Sequence, residues 1–182
     1  MIKLVLMIPT LDKSRAEKQF TMLAAGLPKN EFDVHVVALT RGGPYEKTLN
    51  DANIPFTVLG KRLKFDPFAI RRLKKLIERL QPDILHTWIF AANAYGRIVA
   101  GKSDKPKVIV SERCVDSWKS GWQLWLDKRQ IPRTTKLLGN SESVAQFYRE
   151  KGFPADRISV IPNGVSIPQA TDESKDLSLI HI

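Results

Sequence analysis

One stretch near the N-terminus decides the fold class: residues 2–39 read IKLVLMIPTLDKSRAEKQFTMLAAGLPKNEFDVHVVAL. Residues 2–8 form a continuous apolar run, which is typical of a strand buried on both faces of a sheet. Ser14 and Glu17 have the spacing of a helix capping box, and apolar residues follow them at helical spacing. Residues 33–39 are mainly apolar again. The stretch therefore predicts a strand, a helix and a second strand.

The same alternation continues along the chain and predicts the α/β class. Strand-like runs separated by helical stretches indicate βαβ units with right-handed crossovers and a parallel sheet. We expect a doubly wound, mainly parallel Rossmann-like sheet, in which ligands bind beyond the carboxyl ends of the strands. The remaining predicted strands are residues 54–59, 83–86, 107–111, 136–140 and 157–161.

Composition and charge favour some binding partners and exclude others, but they do not identify a single function. With 29 basic and 19 acidic residues, the chain has a formal net charge of +10, which favours an anionic partner: nucleic acid, a membrane face or a phosphorylated substrate. Nucleic acid is the less favoured partner, because no nucleic-acid-binding motif is visible. The single cysteine, Cys114, excludes an intrachain disulfide, and the three scattered histidines predict no metal site.

Motifs of the common nucleotide-binding enzymes are missing from the sequence. The turn after the first strand contains no G-x-G-x-x-G, and the second strand ends in Thr40 and Arg41 rather than in an acidic residue. A dinucleotide dehydrogenase is therefore not supported. The sequence also contains no G-x-x-x-x-G-K-[ST] and no D-x-D, so neither a P-loop nor a D-x-D metal–nucleotide site is supported.

Five stretches at the predicted strand ends resemble the N-terminal domain of a GT-B glycosyltransferase of the retaining family 4 type. They occur in the order of the family's motifs and on matching strands. The stretches are SRAE at 14–17, where the family has Gly-Gly-Ala-Glu, PDILHTW at 82–88, SER at 111–113, NSESV at 140–144 and RISVIPNGV at 157–165.

The resemblance implies transfer of a hexose from a nucleotide-diphospho-sugar to a glycan or lipid-linked acceptor, with no metal and no cofactor besides this donor substrate. It implies that His86 is catalytic. In two departures, Ser14 and Arg15 replace a glycine pair near the donor phosphate, and Trp88 replaces the second histidine of an H-x-H motif. The substrate-binding residues that it implies are Ser14, Arg15, Trp88, Asn93, Glu112, Arg113, Asn140, Ser141, Asn163 and Gly164.

The resemblance also implies that a second domain, which binds most of the donor, is missing. Residues 1–168 would form the acceptor-side domain, and residues 169–182 would start a linker. We interpret the last six residues, LSLIHI, as a non-native tail, with a natural apolar tail as the alternative. Glu142 and Glu150 match the family's E-x7-E spacing, but they lie in the wrong half of the enzyme, and we interpret the match as coincidence.

Two other functions stay open at this stage. One is a sugar-nucleotide epimerase of the GT-B fold, and the other is a non-catalytic basic module that binds anionic membrane or nucleic acid. Residues 61–79 contain eight basic side chains, most of them on a predicted amphipathic helix. We expect its apolar face to pack against the sheet and its basic face to meet solvent, with peripheral, electrostatic contact with an anionic membrane at its cytoplasmic face as the alternative. Trp118, Trp122 and Trp125 have the spacing of a helix stripe, and packing against the fold is preferred over a sugar or lipid surface.

Overall fold

The computed structural model describes residues 1–101 and 105–165, in which strands and helices alternate in the predicted order. The strands are β1 (Ile2–Thr10), β2 (Phe32–Arg41), β3 (Phe56–Val58), β4 (Ile84–Trp88), β5 (Lys107–Glu112), β6 (Lys136–Gly139) and β7 (Ile158–Val160). The helices are α1 (Arg15–Gly26), α2 (Tyr45–Asp51), α3 (Pro67–Leu80), α4 (Ile89–Ala100), α5 (Gly121–Gln130) and α6 (Glu142–Glu150). The predicted linker and tail at 169–182 lie outside the described residues.

The seven strands form one parallel sheet in the order β3-β2-β1-β4-β5-β6-β7, which confirms the doubly wound Rossmann-like fold. Alternate residues of β1 point to opposite faces: Leu4 and Leu6 pack with α1, and Val5 and Met7 pack in the layer that contains α3, α4 and α6. No helix within the described ranges is long and apolar enough to cross a membrane.

The junction between β4 and α4 differs from its prediction. The strand extends to Trp88, two residues beyond the predicted strand at 83–86, and the helix begins at the next residue. This direct turn gives Ile89 a φ of 69°. A β-branched residue rarely adopts a left-handed backbone, so the junction is strained. Because of this direct turn, α4 begins at the carboxyl edge of the sheet.

Strand β3 is shorter than predicted, since its hydrogen-bonded part is Phe56–Val58 rather than residues 54–59. Pro55 has no N–H to donate, and Gly60 turns the chain with a φ of 66°. The strand lies at the edge of the sheet, where a short strand leaves few unpaired backbone groups.

The helix starts differ in how they are capped. Asp66 caps α3, because its Oδ1 accepts from the amide of Ala69 at 3.0 Å. Ser141 caps α6, because its hydroxyl accepts from the amide of Val144 at 3.4 Å. The predicted capping box at Ser14 is wrong in its geometry: the Ser14 hydroxyl donates to the carboxylate of Glu17 and makes no bond to the backbone of α1.

Candidate functional site

A polar cleft of about 300 Å³ lies at the carboxyl edge of the sheet. Because all strands are parallel, the loops that follow them meet at this edge. The chain segments that wall the cleft are the start of α1, the β4–α4 junction and the residues after β5, β6 and β7. Five of the predicted substrate-binding residues line it: Arg15, Glu112, Arg113, Asn140 and Asn163.

An apolar groove of about 450 Å³ lies on the face of the sheet that carries α1. Arg113 lines both the groove and the polar cleft, whereas His86 and Trp88 line the groove. Most other walls of the groove are apolar, for example Leu23 of α1 and Ile109 of β5. The predicted catalytic residue and the tryptophan beside it therefore lie against a less polar space than the other site residues.

Arg113 connects the two spaces and several elements of the site. Its guanidinium lies 3.6 Å from the ring centroid of Trp88, a cation–π stack, and its Nη1 donates to Oδ1 of Asn163 at 3.2 Å. Its backbone carbonyl accepts from Nδ2 of Asn140 at 3.0 Å. Burial lowers the pKa of Arg113 to about 10, which still leaves it charged at neutral pH. A fixed cation therefore stands between groove and cleft.

His86 is buried and neutral. Its Nε2 lies 2.8 Å from the hydroxyl of Ser111, within hydrogen-bonding distance. Burial, with a smaller contribution from the charge of Arg113, lowers the pKa of His86 to about 3. At neutral pH the imidazole can accept or donate one hydrogen bond, but it holds no second proton to give. Its catalytic role stays a prediction, and the environment restricts that role to the neutral form.

Asn93 is fully buried and bonded within the protein. Its amide nitrogen donates to Oε1 of Glu112 at 2.9 Å and to the carbonyl of Ser111 at 3.2 Å. Its Oδ1 accepts from the hydroxyl of Thr87 at 2.7 Å. These bonds tie α4 to β4 and β5. The structure therefore places Asn93 behind the site, where it positions Glu112.

The predicted residues at chain turns act mainly through local bonds. Ser14 and Ser141 use their hydroxyls at the helix starts described above. Gly164 is exposed, and its amide and carbonyl both bond to the side chain of Gln19, at 2.8 and 2.7 Å. These two bonds hold the chain after β7 against α1, and they keep Asn163 beside Arg113.

Three buried polar atoms at the site have no hydrogen-bond partner among the described residues: Nε1 of Trp88, Nε of Arg113 and Oδ1 of Asn140. Buried polar atoms are usually paired, so such a group of orphans needs an explanation. The strained Ile89 also lines the polar cleft. Unpaired polar atoms and backbone strain gather where proteins bind ligands.

A buried ionic cluster lies beneath the cleft, and sequence reasoning missed most of it. The ammonium of Lys119 lies 2.8 Å from Asp116, 2.8 Å from Asp127 and 3.4 Å from Glu112. It also donates to the hydroxyl of Tyr148 at 2.7 Å, and that hydroxyl donates to Asp116 at 2.5 Å. The only sequence signal is that one lysine and three acids fall within residues 112–127, between apolar side chains.

Arg97 completes the cluster with a bond of 2.5 Å to Asp127. Two cations thus face three carboxylates, and the formal charges balance when one carboxylate carries a proton. Burial, helped by the charges of Asp116 and Asp127 and opposed by Lys119, raises the pKa of Glu112 to about 7. Glu112 is therefore the carboxyl of the cluster that holds its proton up to a pH of about 7. Among the described residues, no three His, Cys, Asp or Glu side chains are placed to hold a metal ion.

Replacing Glu112 with glutamine should stabilise the protein increasingly as pH rises from 4.5 to 7. The folded state holds the Glu112 proton in this window while the unfolded chain loses it, so wild-type stability falls with rising pH. Glutamine mimics the protonated acid and has no such loss. We expect the two proteins to be similar at pH 4 and to differ by about 3 kcal/mol at pH 8, as measured by urea unfolding. A variant that instead becomes relatively less stable as pH rises would show that ionised Glu112 stabilises the fold.

Comparison of the sequence with models of known protein families identifies the family of this chain. The family model described as Glycosyltransferase Family 4 matches residues 16–168. The chain belongs to glycosyltransferase family 4. No curated protein sequence matches this family 4 chain.

Solved structures show the GT-B architecture for this family 4 chain. Anabaena HepE in complex with UDP superposes with a TM-score of 0.79 at 16% identity, over 98% of this chain and 50% of HepE. The lipopolysaccharide outer core galactosyltransferase WaaB has a TM-score of 0.71 at 14% identity, over 92% and 47%. UDP-GlcNAc 2-epimerase from Methanocaldococcus jannaschii has a TM-score of 0.64 at 15% identity, over 89% and 46%. The chain spans about half the length of each structure.

Proposed function

We propose that this family 4 chain is the acceptor-side half of a retaining hexosyltransferase. The donor in this proposal is a nucleotide-diphospho-sugar, and the acceptor is a glycan or a lipid-linked sugar. The observation that carries the proposal is the polar cleft, in which a fixed arginine and orphan polar atoms meet at the carboxyl edge of a family 4 domain. HepE has been crystallised with UDP and with UDP-glucose, which supports a nucleotide-sugar donor.

Two arginines give the cleft the charge that a departing diphosphate needs. Arg15 is exposed at the first turn of α1, where backbone N–H groups also favour an anion. Arg113 holds its charge between Trp88 and Asn163. Cations fixed before the reaction stabilise charge that develops in the transition state, and they do so without reorganisation. In this proposal Arg15, which with Ser14 replaces the family's glycine pair, supplies charge at the donor phosphate, and Arg113 adds a second cation.

The groove side of the site would hold the reacting sugar or the acceptor. His86 is neutral at working pH, so in this proposal it acts as a hydrogen-bond partner, oriented by Ser111. The indole N–H of Trp88 and Oδ1 of Asn140 offer one donor and one acceptor to a ligand hydroxyl. Glu112 stays one layer deeper, where Asn93 and Lys119 hold it.

The proposal predicts that the 182-residue chain does not transfer sugar by itself. When radiolabelled UDP-glucose and a mixed glycan acceptor are incubated with this chain, we expect no labelled product. We expect a longer polypeptide that includes the second domain to transfer the sugar. In that polypeptide Arg113→Ala should lower kcat by about a hundredfold, because it removes one charge that stabilises the diphosphate. The matched control is Arg79→Ala, an exposed arginine near the carboxyl end of α3.

Three results would contradict the proposal. Transfer by the 182-residue chain alone would refute the division between two halves. Conversion of free UDP-sugar without any acceptor would favour a sugar-nucleotide epimerase, the alternative that the Methanocaldococcus jannaschii structure supports by its fold. If Arg79→Ala lowered kcat as much as Arg113→Ala does, the rate would depend on the overall positive charge rather than on the arginine in the cleft.

A further inference from the structure

Six large apolar side chains are exposed near the carboxyl edge of the sheet, and they define what we call the aromatic rim. Each has between 59% and 71% of its surface accessible, although side chains of this kind usually pack inside. The predicted packing of the tryptophan stripe is therefore wrong: these indoles point to solvent. The rim consists of Leu63, Phe65, Phe68, Trp118, Trp122 and Trp125.

The two parts of the rim flank the same helix. Phe65 and Phe68 lie at the start of α3, and the backbone amide of Asp66 between them bonds to the hydroxyl of Tyr95 on α4 at 2.7 Å. On the other side, the ring of Trp122 meets the ring of Phe90, also on α4, edge-on at 6.1 Å. The starts of α3, α4 and α5 all follow parallel strands, so the rim lies on the same edge as the polar cleft.

The rim is surrounded by positive charge. In residues 59–77 the only acid is Asp66, and in residues 113–130 the only acids are Asp116 and Asp127. All three are buried, the first as a helix cap and the others in the cluster around Lys119. The surface of both segments therefore presents mainly apolar side chains and cations, and the nearest exposed carboxylate on α3 is Glu78, which lies 3.8 Å from the ammonium of Lys74. The exposed cations are Arg62, Lys64, Arg71, Arg72, Lys74, Lys75, Lys128 and Arg129.

We propose that the aromatic rim docks the protein on an anionic lipid bilayer. Tryptophan and phenylalanine favour the boundary between headgroups and acyl chains, and lysine and arginine are attracted to anionic lipid. A protein partner fits less well, because the cores of protein interfaces are depleted of lysine. Docking in this orientation places the mouth of the polar cleft near the lipid surface. The docking does not depend on the proposed sugar transfer.

The basic helix α3 contributes charge but not its apolar face. Leu73, Leu76 and Ile77 of that face are buried against the sheet. Insertion into the bilayer therefore depends on Leu63, Phe65 and Phe68, which lie before and at the start of α3, together with the three tryptophans of the rim. The rim supplies the apolar contact that a purely electrostatic association lacks.

The proposal is tested with the 182-residue chain and lipid vesicles. We expect co-sedimentation with vesicles that contain phosphatidylglycerol, little with pure phosphatidylcholine, and weaker binding as salt increases. Of the four tryptophans, Trp88 is buried and the other three are in the rim. Binding should therefore shift the fluorescence emission to shorter wavelength as the rim indoles leave water.

Matched variants identify the surface that binds. The double change Trp122→Gln and Trp125→Gln should lower the vesicle partition coefficient at least about tenfold, and Arg129→Glu should lower it by about a further tenfold. The controls are Ile2→Gln and Lys107→Glu, which change an exposed apolar residue and an exposed cation at the amino ends of β1 and β5. Both controls should bind as the wild type does, and circular dichroism should show that every variant is folded.

Four results would overturn the proposal. Unchanged vesicle binding of the double tryptophan variant would exclude the rim. Equal losses of vesicle binding in the two control variants would show that binding does not depend on the position of the changed residues. Self-association that depends on Trp122, without vesicle binding, would identify a second copy of the chain as the occupant. Binding to single-stranded DNA in place of vesicles would assign the rim to nucleic acid.

Discussion

Replacing Lys119 with methionine should lower the free energy of unfolding by about 3–5 kcal/mol. The change leaves Glu112, Asp116 and Asp127 in a buried space in which Arg97 is the remaining cation of the cluster. Uncompensated buried charge is among the costliest defects in a fold. Although burial acts against it, the surrounding carboxylates hold the pKa of Lys119 above its ordinary value, so the wild-type ammonium stays charged. Urea unfolding at pH 8 measures the loss.

The matched control for this prediction is Lys128→Met, an exposed lysine on α5, which should change stability by less than about 0.5 kcal/mol. Lowering the pH should partly rescue Lys119→Met. In that variant the crowded carboxyls take up protons more readily when folded than when unfolded, so its stability rises as pH falls from 8 to 5 relative to wild type. A loss below about 1 kcal/mol, or the same loss at both pH values, would show that the cluster does not carry its charges as described.

The sheet and the position of the cleft could be predicted because both follow from short-range patterns. Apolar runs separated by helical periods imply parallel strands, and parallel strands bring their carboxyl ends together. The order of the elements placed the cleft at this edge, and the family resemblance named the residues, of which Arg15, Glu112, Arg113, Asn140 and Asn163 line it.

The ionic cluster could not be predicted, because it depends on how the loop between β5 and α5 folds. Asp116 and Lys119 are ordinary solvated residues in any extended loop, and only the turn that buries them brings Asp127 and Tyr148 to the same point. The protonation state of His86 could not be predicted, for a related reason. The predicted strand ends at His86, whereas β4 continues to Trp88, and the pKa of His86 depends on burial by side chains distant in sequence.

The tryptophan stripe shows the limit of periodicity. Spacing of i, i+4 and i+7 says that side chains share a face of a helix, but it does not say whether that face meets the sheet or solvent. Trp118 in fact precedes the helix, which begins at Gly121. The buried residues of this helix are Asp127 and Gln130, so its inward face is polar and its outward face is aromatic. The polar side of α5 faces the protein interior because Asp127 belongs to the buried ionic cluster, and the aromatic side therefore faces solvent.

Replacing Trp88 with alanine should lower the free energy of unfolding by about 3–5 kcal/mol. The indole is 1% exposed, meets Phe20 edge-on at 5.6 Å and carries the guanidinium of Arg113 at 3.6 Å. Alanine removes these contacts and leaves a cavity. Trp88→Phe should cost only about 1 kcal/mol, because a ring remains beneath Arg113 and the indole N–H has no hydrogen-bond partner to lose. Urea unfolding of both variants, with the exposed Trp122→Ala as control, measures the difference.

The phenylalanine variant also separates packing from ligand binding. If the indole N–H serves a ligand, Trp88→Phe weakens binding of UDP-glucose in the longer polypeptide while stability changes little. If both variants are equally unstable, the N–H itself supports the fold. Trp88→His restores the family's H-x-H, but histidine is smaller and leaves Arg113 without its platform, so we expect a loss of about 2 kcal/mol or more. At this position the tryptophan keeps a charged arginine fixed at the cleft, and that provides a physical reason for its replacing the family's histidine.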